Sequence, residues 1–152
     1  MTIANIDDGE PERIPSADEV RAETEDWTRR INDLFETIRS WLPADEGYEV
    51  DLSRTVLMDE RMTWSHGLPA YRLPSLGIRR AGVGLLRFVP DARWVYFTRG
   101  RIMIQGMKWP ARLLDKGAAP GDVHWRLYTM WGPIGGIPFD AAALQSLLGE
   151  PR

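Results

Sequence analysis

Residues 16–43 read SADEVRAETEDWTRRINDLFETIRSWLP, and the punctuation at the two ends of this stretch sets the fold. Ser16 and Glu19 form a capping box, the serine hydroxyl facing the Glu19 amide and the carboxylate reaching back toward Ser16. Asp18 and Glu19 also suit the positive end of a helix dipole. Pro43 stops the helix, because its ring clashes with the preceding turn. Between these signals Val20, Thr24, Trp27, Ile31, Leu34, Ile38 and Trp41 recur at alternating steps of four and three. The spacing predicts an amphipathic helix over residues 17–42, roughly 39 Å long at 1.5 Å per residue. A strand of ordinary length covers only about 17–20 Å, so such a helix overreaches a sheet packed beneath it. The overhang suggests a partner, either another protein or a second copy of the chain, on Trp27, Ile31, Leu34 and Ile38; the alternative is a single helix that covers one face of the chain's own sheet or runs diagonally across it.

Past Pro43 the period changes from 3.6 to 2. YEVDLSRTVLMD, residues 48–59, alternates as one half-buried strand. Residues 60–75, ERMTWSHGLPAYRLPS, read as a loop with prolines and Gly67. Short strands follow at 76–80, 85–89, 94–98, 101–105, 109–114 and 123–130, separated by turn residues such as Ala81 and Gly82, Pro90 and Asp91, Arg99 and Gly100, and DKGAAPGD. No connection is long enough for a crossover helix, so the strands pair antiparallel. WGPIGGIP closes the sheet region. Asp140 caps a last helix over 141–148, Phe139 and Leu144 staple it, and Gly149 ends it. The expected architecture is α+β: a long N-terminal helix packed on a curled, half-barrel-like antiparallel meander sheet of six to seven strands (48–130), then a short C-terminal helix. Residues 1–15 read as a mobile acidic tail and 16–152 as a single domain.

A chain of 152 residues is long enough for one sizeable core. With 43 % hydrophobic and 27 % charged residues its composition is that of a water-soluble globular protein, and no apolar run is long enough to span a membrane. The acidic start, without a basic n-region or an apolar h-region, points to a cytoplasmic protein of bacterial type. There is no cysteine, which excludes disulfides, thiolate catalysis and Cys-ligated metal. The net charge of −3 conceals an asymmetry: residues 1–60 carry −11 and residues 61–152 carry +8. Arginine supplies 17 of the 19 basic side chains, and its planar fork suits carboxylates, phosphates and aromatic faces. The simplest use of the basic half is internal, facing the acidic helix.

RWVYFTRGRIMIQG, residues 93–106, predicts a hairpin with Arg99 and Arg101 at its tip and apolar side chains on both faces of its first strand. Two apolar faces need two covers, the second supplied by curling into a barrel, by loops such as residues 59–74, or by another protein. Arginines interleaved with Trp94 and Trp109 are also the ingredients of a single-stranded nucleic-acid or nucleotide site, although the sequence pI of about 5.4 and the lack of a basic recognition helix weigh against it. Candidates for chemistry are few. His66 follows Ser65 in a loop, and Asp122 and His124 fall on one side of a strand with Asp115 nearby, a general-base arrangement that a small hydrolase would need. No nucleophile elbow accompanies them. GPIGGIP lacks the Lys-Ser/Thr of a phosphate loop and precedes a helix already capped by Asp140. No metal site and no cofactor are expected. The sequence thus favours a non-catalytic protein-interaction domain, an adaptor, accessory subunit or inhibitor- or immunity-like partner, with Arg99 and Arg101 joining the helix stripe as partner-binding residues.

Overall fold

The computed structural model describes residues 14–150. The tail expected over 1–15 therefore falls, for residues 1–13, outside the described residues. Helix α1 (Ala17–Trp41) starts at Ser16, whose Oγ accepts from the Glu19 amide at 3.2 Å while donating to the Glu19 carboxylate at 3.3 Å. It stops at Leu42, one residue before Pro43. Val20, Trp27, Ile31, Leu34, Phe35 and Ile38 are buried along one face.

The strands are β1 (Tyr48–Asp51), β2 (Thr55–Met58), β3 (Tyr71–Pro74), β4 (Leu76–Arg80), β5 (Val83–Ala92), β6 (Arg101–Gln105), β7 (Ala111–Asp115), β8 (Trp125–Thr129) and β9 (Ile137–Pro138). Seven of them form an antiparallel sheet in the order β1-β4-β5-β6-β7-β8-β9, and β2 pairs with β3 in a separate ribbon. The large sheet is open, with β1 and β9 at its edges. A single turn, α2 (Arg61–Trp64), lies between β2 and β3, and α3 (Ala141–Leu148) closes the described chain. Among the described residues no helix is long and apolar enough to cross a membrane.

Register puts the apolar side chains on one face of the sheet. Ile78 lies opposite Leu86, Phe88 opposite Ile104, Ile102 opposite Leu113, and Leu113 opposite Leu127. This face meets Trp27, Ile31, Leu34, Phe35 and Ile38 of α1 in one continuous core. The overhang of α1 is covered by the chain itself, α2 and β3 packing on it together with α3. Trp27, Ile31 and Ile38 are wholly buried and Leu34 is 5 % exposed, so the expectation that these four face a partner gives way to an internal role. The apolar stripe that suggested a second chain is satisfied by the first.

Three local expectations are also revised. The strand expected over 48–59 is two strands in different sheets, broken where Asp51 Oδ1 accepts from both the amide (2.9 Å) and the hydroxyl (2.5 Å) of Ser53, a turn that such side chains favour. The loop expected over 60–75 contains α2 and β3, the latter placing Leu73 opposite Val56 of β2 and burying it in the core. Residues 94–98 are a loop and not a strand.

Candidate functional site

Ala92 of β5 pairs with Arg101 of β6, and residues 93–100 leave the sheet between them. The base of this excursion is held at several points. The Glu60 carboxylate at the start of α2 accepts from the amides of Arg93 (3.1 Å) and Trp94 (3.0 Å). The Arg99 amide donates to the Asp115 carbonyl at 2.8 Å, and the Asp115 amide donates to the Gly100 carbonyl at 3.0 Å. Gly100, with φ +143°, stacks its backbone on Trp27; a Cβ there would stand 2.2 Å from the indole Cζ3. Only glycine fits the conformation and the space.

Beneath the loop, buried side chains of alternating charge link helix to sheet. Arg93 donates to Glu23 at 2.6 Å, and Arg99 lies 3.5 Å from the same Glu23 oxygen and donates to Asp26 at 3.1 Å. Arg30 donates to Asp26 at 2.7 Å and to Asp115 at 2.8 Å, with a third bond to the Arg99 carbonyl at 2.8 Å. Asp115 is fully buried, and its other oxygen accepts from the amides of Gly117 (2.9 Å) and His124 (3.0 Å). Three guanidiniums meet three carboxylates, with Glu23 partly exposed at the rim, so each buried charge has an opposite charge beside it, as the low dielectric of an interior requires. Burial alone would raise the Asp26 carboxyl, but hydrogen bonds from Arg30 and Arg29 and the charge of Arg99 outweigh it and hold the group below its ordinary range. Burial pulls the Arg30 guanidinium down, and Asp26 and Asp115 oppose that.

The tip above this clamp is apolar and free. Tyr96 is 90 % exposed and Phe97 91 %, with ring centroids 6.4 Å apart. Phe97 has φ +61°, a left-handed conformation that costs a side-chain-bearing residue about 1–2 kcal/mol. Lys116 Nζ donates to its carbonyl at 2.7 Å and holds it there. Beside the tip opens a cleft of about 750 Å³ lined by Glu60, Arg61, Met62, Trp94, Tyr96 and Thr98, among others. The Arg93 guanidinium lies 4.4 Å above the Trp94 ring and stiffens its floor.

The residues singled out in the sequence fall as follows. Arg99 is 9 % exposed and grips Asp26 and Glu23, so the anion it holds is the protein's own, and it is no free tip arginine. Arg101 is half-buried and donates to Asp91 at 2.6 Å. Trp94 leaves the sheet where β5 gives way to β6, whereas Trp109 lies past the other end of β6, so the aromatics expected to form one stacking platform stand apart. His66 has Nδ1 2.7 Å from the Met62 carbonyl and Nε2 2.8 Å from the Pro15 carbonyl, so both ring nitrogens are occupied. His124 and Asp122 pair at 2.6 Å on an exposed loop. The Ala118 amide and then His124 hold the Asp122 carboxyl below its usual range. Asp115 reaches only the backbone amide of His124 and not its ring, its other oxygen being turned inward to Arg30. Among the described residues no cluster of three or more His, Cys, Asp or Glu side chains is placed to hold a metal ion. GPIGGIP is tied down by Arg126, which donates to the carbonyls of Gly135 and Gly136 at 2.9 Å each.

Sequence reading missed Tyr96 and Phe97, because alternation of apolar residues there imitated a strand. The clamp left one trace: Asp26 and Arg30, one helical turn apart, share the same flank of Trp27 at the margin of the apolar stripe, where charges need partners. No protein family, curated protein or solved structure matches the chain.

Proposed function

We propose that the protein is a non-catalytic interaction domain of the cytoplasm, and that it binds a partner protein through loop 93–100 and the cleft beside it. The observation that carries this reading is the contrast within one loop. Its base is locked by Arg93, Arg99 and Glu60, while Tyr96 and Phe97 at its tip are almost wholly exposed and one of them is held in a strained conformation. Strain kept in place by surrounding structure marks functional sites, and rigid exposed aromatics beside a cleft are the usual anchors of protein interfaces. Preorganisation lowers the entropy lost on binding.

The test compares affinity recovery by the tagged full chain with that by a Tyr96→Ser/Phe97→Ser variant from the native cell. A stoichiometric protein retained by the wild type and lost with the variant, while a His124→Ala control keeps it, supports the reading. Equal recovery by both removes it.

A further inference from the structure

The opposite end of the seven-stranded sheet carries a second exposed surface. Because β6, β7 and β8 alternate in direction, Ile104 lies opposite Ala111 and Ala111 opposite Thr129, so loops 106–110 and 130–136 emerge side by side. They read GMKWP and MWGPIGG. Ile134 is 100 % exposed, Trp131 80 %, Met130 50 % and Trp109 44 %, and the two indoles meet edge to face with centroids 6.1 Å apart. Exposed apolar groups gathered in this way mark a binding surface.

The chemistry of the second loop narrows what that surface meets. Residues 130–136 contain no charged or polar side chain apart from the indole N–H. Part of their backbone is satisfied from within: Arg126 takes the carbonyls of Gly135 and Gly136, the Gly136 amide donates to the Pro133 carbonyl at 3.0 Å, and the Gly132 amide to the Thr129 carbonyl at 3.3 Å. These bonds lower the cost of withdrawing that part of the loop from water, and a shallow seat at the hydrated headgroup boundary leaves the remaining backbone groups within reach of water. Behind the tips is a groove of about 360 Å³ lined by Met103, Arg112, Tyr128, Met130 and Ile134, among others. Arg112 stands over the Tyr128 ring at 5.7 Å and Lys108 over the Trp109 ring at 5.7 Å, and neither has an ion-pair partner among the described residues. No Asp or Glu occurs from Arg101 to Leu114 or from Val123 to Phe139.

We propose that this end of the sheet docks on the surface of an anionic phospholipid bilayer. Trp131 and Ile134 enter the boundary between headgroups and acyl chains, Trp109 lies at headgroup level, and Arg112 and Lys108 meet the phosphates. Indoles favour that interface because they are amphipathic, and basic residues beside an apolar insertion add affinity for anionic lipid.

The experiment sediments the full-length protein with vesicles of phosphatidylcholine alone or with about one third phosphatidylserine. Binding is expected to the mixed vesicles, to weaken with added salt, and to fall at least about tenfold for Trp131→Ser/Ile134→Ser. Arg112→Gln is expected to weaken the preference for phosphatidylserine, and Lys108→Gln/Arg112→Gln to remove it. The melting temperature of each variant, measured without lipid, stays near that of the wild type, since these side chains lie outside the core. Tyr96→Ser/Phe97→Ser binds vesicles as the wild type does, which separates this surface from the one at the other end. No protein in the lipid pellet overturns the proposal, as does equal pelleting of the Trp131→Ser/Ile134→Ser variant. A wild type that runs at twice the monomer mass, with that variant monomeric, overturns it in favour of a second copy as the occupant.

Discussion

Arg30 on α1 and Asp115 at the end of β7 are 85 residues apart in the chain and 2.8 Å apart in the fold. The same guanidinium binds Asp26 one helical turn away and the carbonyl of Arg99. One side chain therefore fixes the helix against both the sheet and the base of the aromatic loop. Replacing it by alanine leaves Asp115 a buried charge with amide donors alone. We expect Arg30→Ala to cost about 3–5 kcal/mol of unfolding free energy in guanidinium titrations. Arg30→Lys recovers less than half, since an ammonium cannot place three donors in one plane.

Gly100→Ala introduces a methyl group where Trp27 already lies, at a φ of +143°. The expected loss is about 2–4 kcal/mol. Trp27→Ala alone costs about 3–5 kcal/mol through the cavity it leaves. In the double variant the clash is gone, so the two losses add to less than their sum. A double-mutant cycle on urea midpoints reads the coupling.

Phe97→Gly removes the strain of a left-handed phenylalanine. Glycine returns part of that gain as entropy of the unfolded chain. The net expectation is a stabilisation of about 0.5–1 kcal/mol, seen as a higher melting temperature, together with weaker capture of the partner. Phe97→Ala keeps the strain and loses capture without the gain in stability. A Phe97→Gly protein less stable than the wild type would show that the ring contributes to the fold.

Asp51 and Asp26 set the response to acid. Hydrogen bonds from the Ser53 hydroxyl and amide, then from Arg87, hold the Asp51 carboxyl down to about 2, and Asp26 is lowered as well. Both are depressed in the folded state. Their contribution is therefore fully present above the unfolded value of about 4 and is lost as pH falls toward 2. Stability measured by urea unfolding is expected to decline across that window. Asp51→Asn is expected to lie below the wild type at pH 6 and to converge with it near pH 2.

The helix and the inner face of the sheet were legible because each obeys one period throughout: Val20 to Trp41 keeps its steps, and Ile102 and Ile104 alternate with Met103. The Ser16 and Asp140 caps were legible because a cap is a contact within three residues. The break at Ser53 was not, because Thr55 to Met58 continues the alternation of Tyr48 to Asp51 while pairing with a strand read as loop. The exposure of Tyr96 and Phe97 depends on Glu60, Glu23 and Asp26 reaching residues 33 to 73 positions away, and local pattern is blind to such contacts. Arg99 reads in the sequence as a partner-binding residue at a hairpin tip. Its anions lay in the other half of the chain.

That division of charge also has a temporal side. A ribosome makes the first 60 residues with a net charge of −11 before most of the arginines exist. During that interval α1 has its internal pairs, such as Asp26 with Arg30, but lacks its sheet and the counter-ions at Arg93, Arg99 and Asp115. The bonds to Arg93, Arg99 and Asp115 are available only after 70 to 85 further residues. The helix is made before the sheet it packs on, so the ion pairs that join the two can form only once residues 93–115 exist.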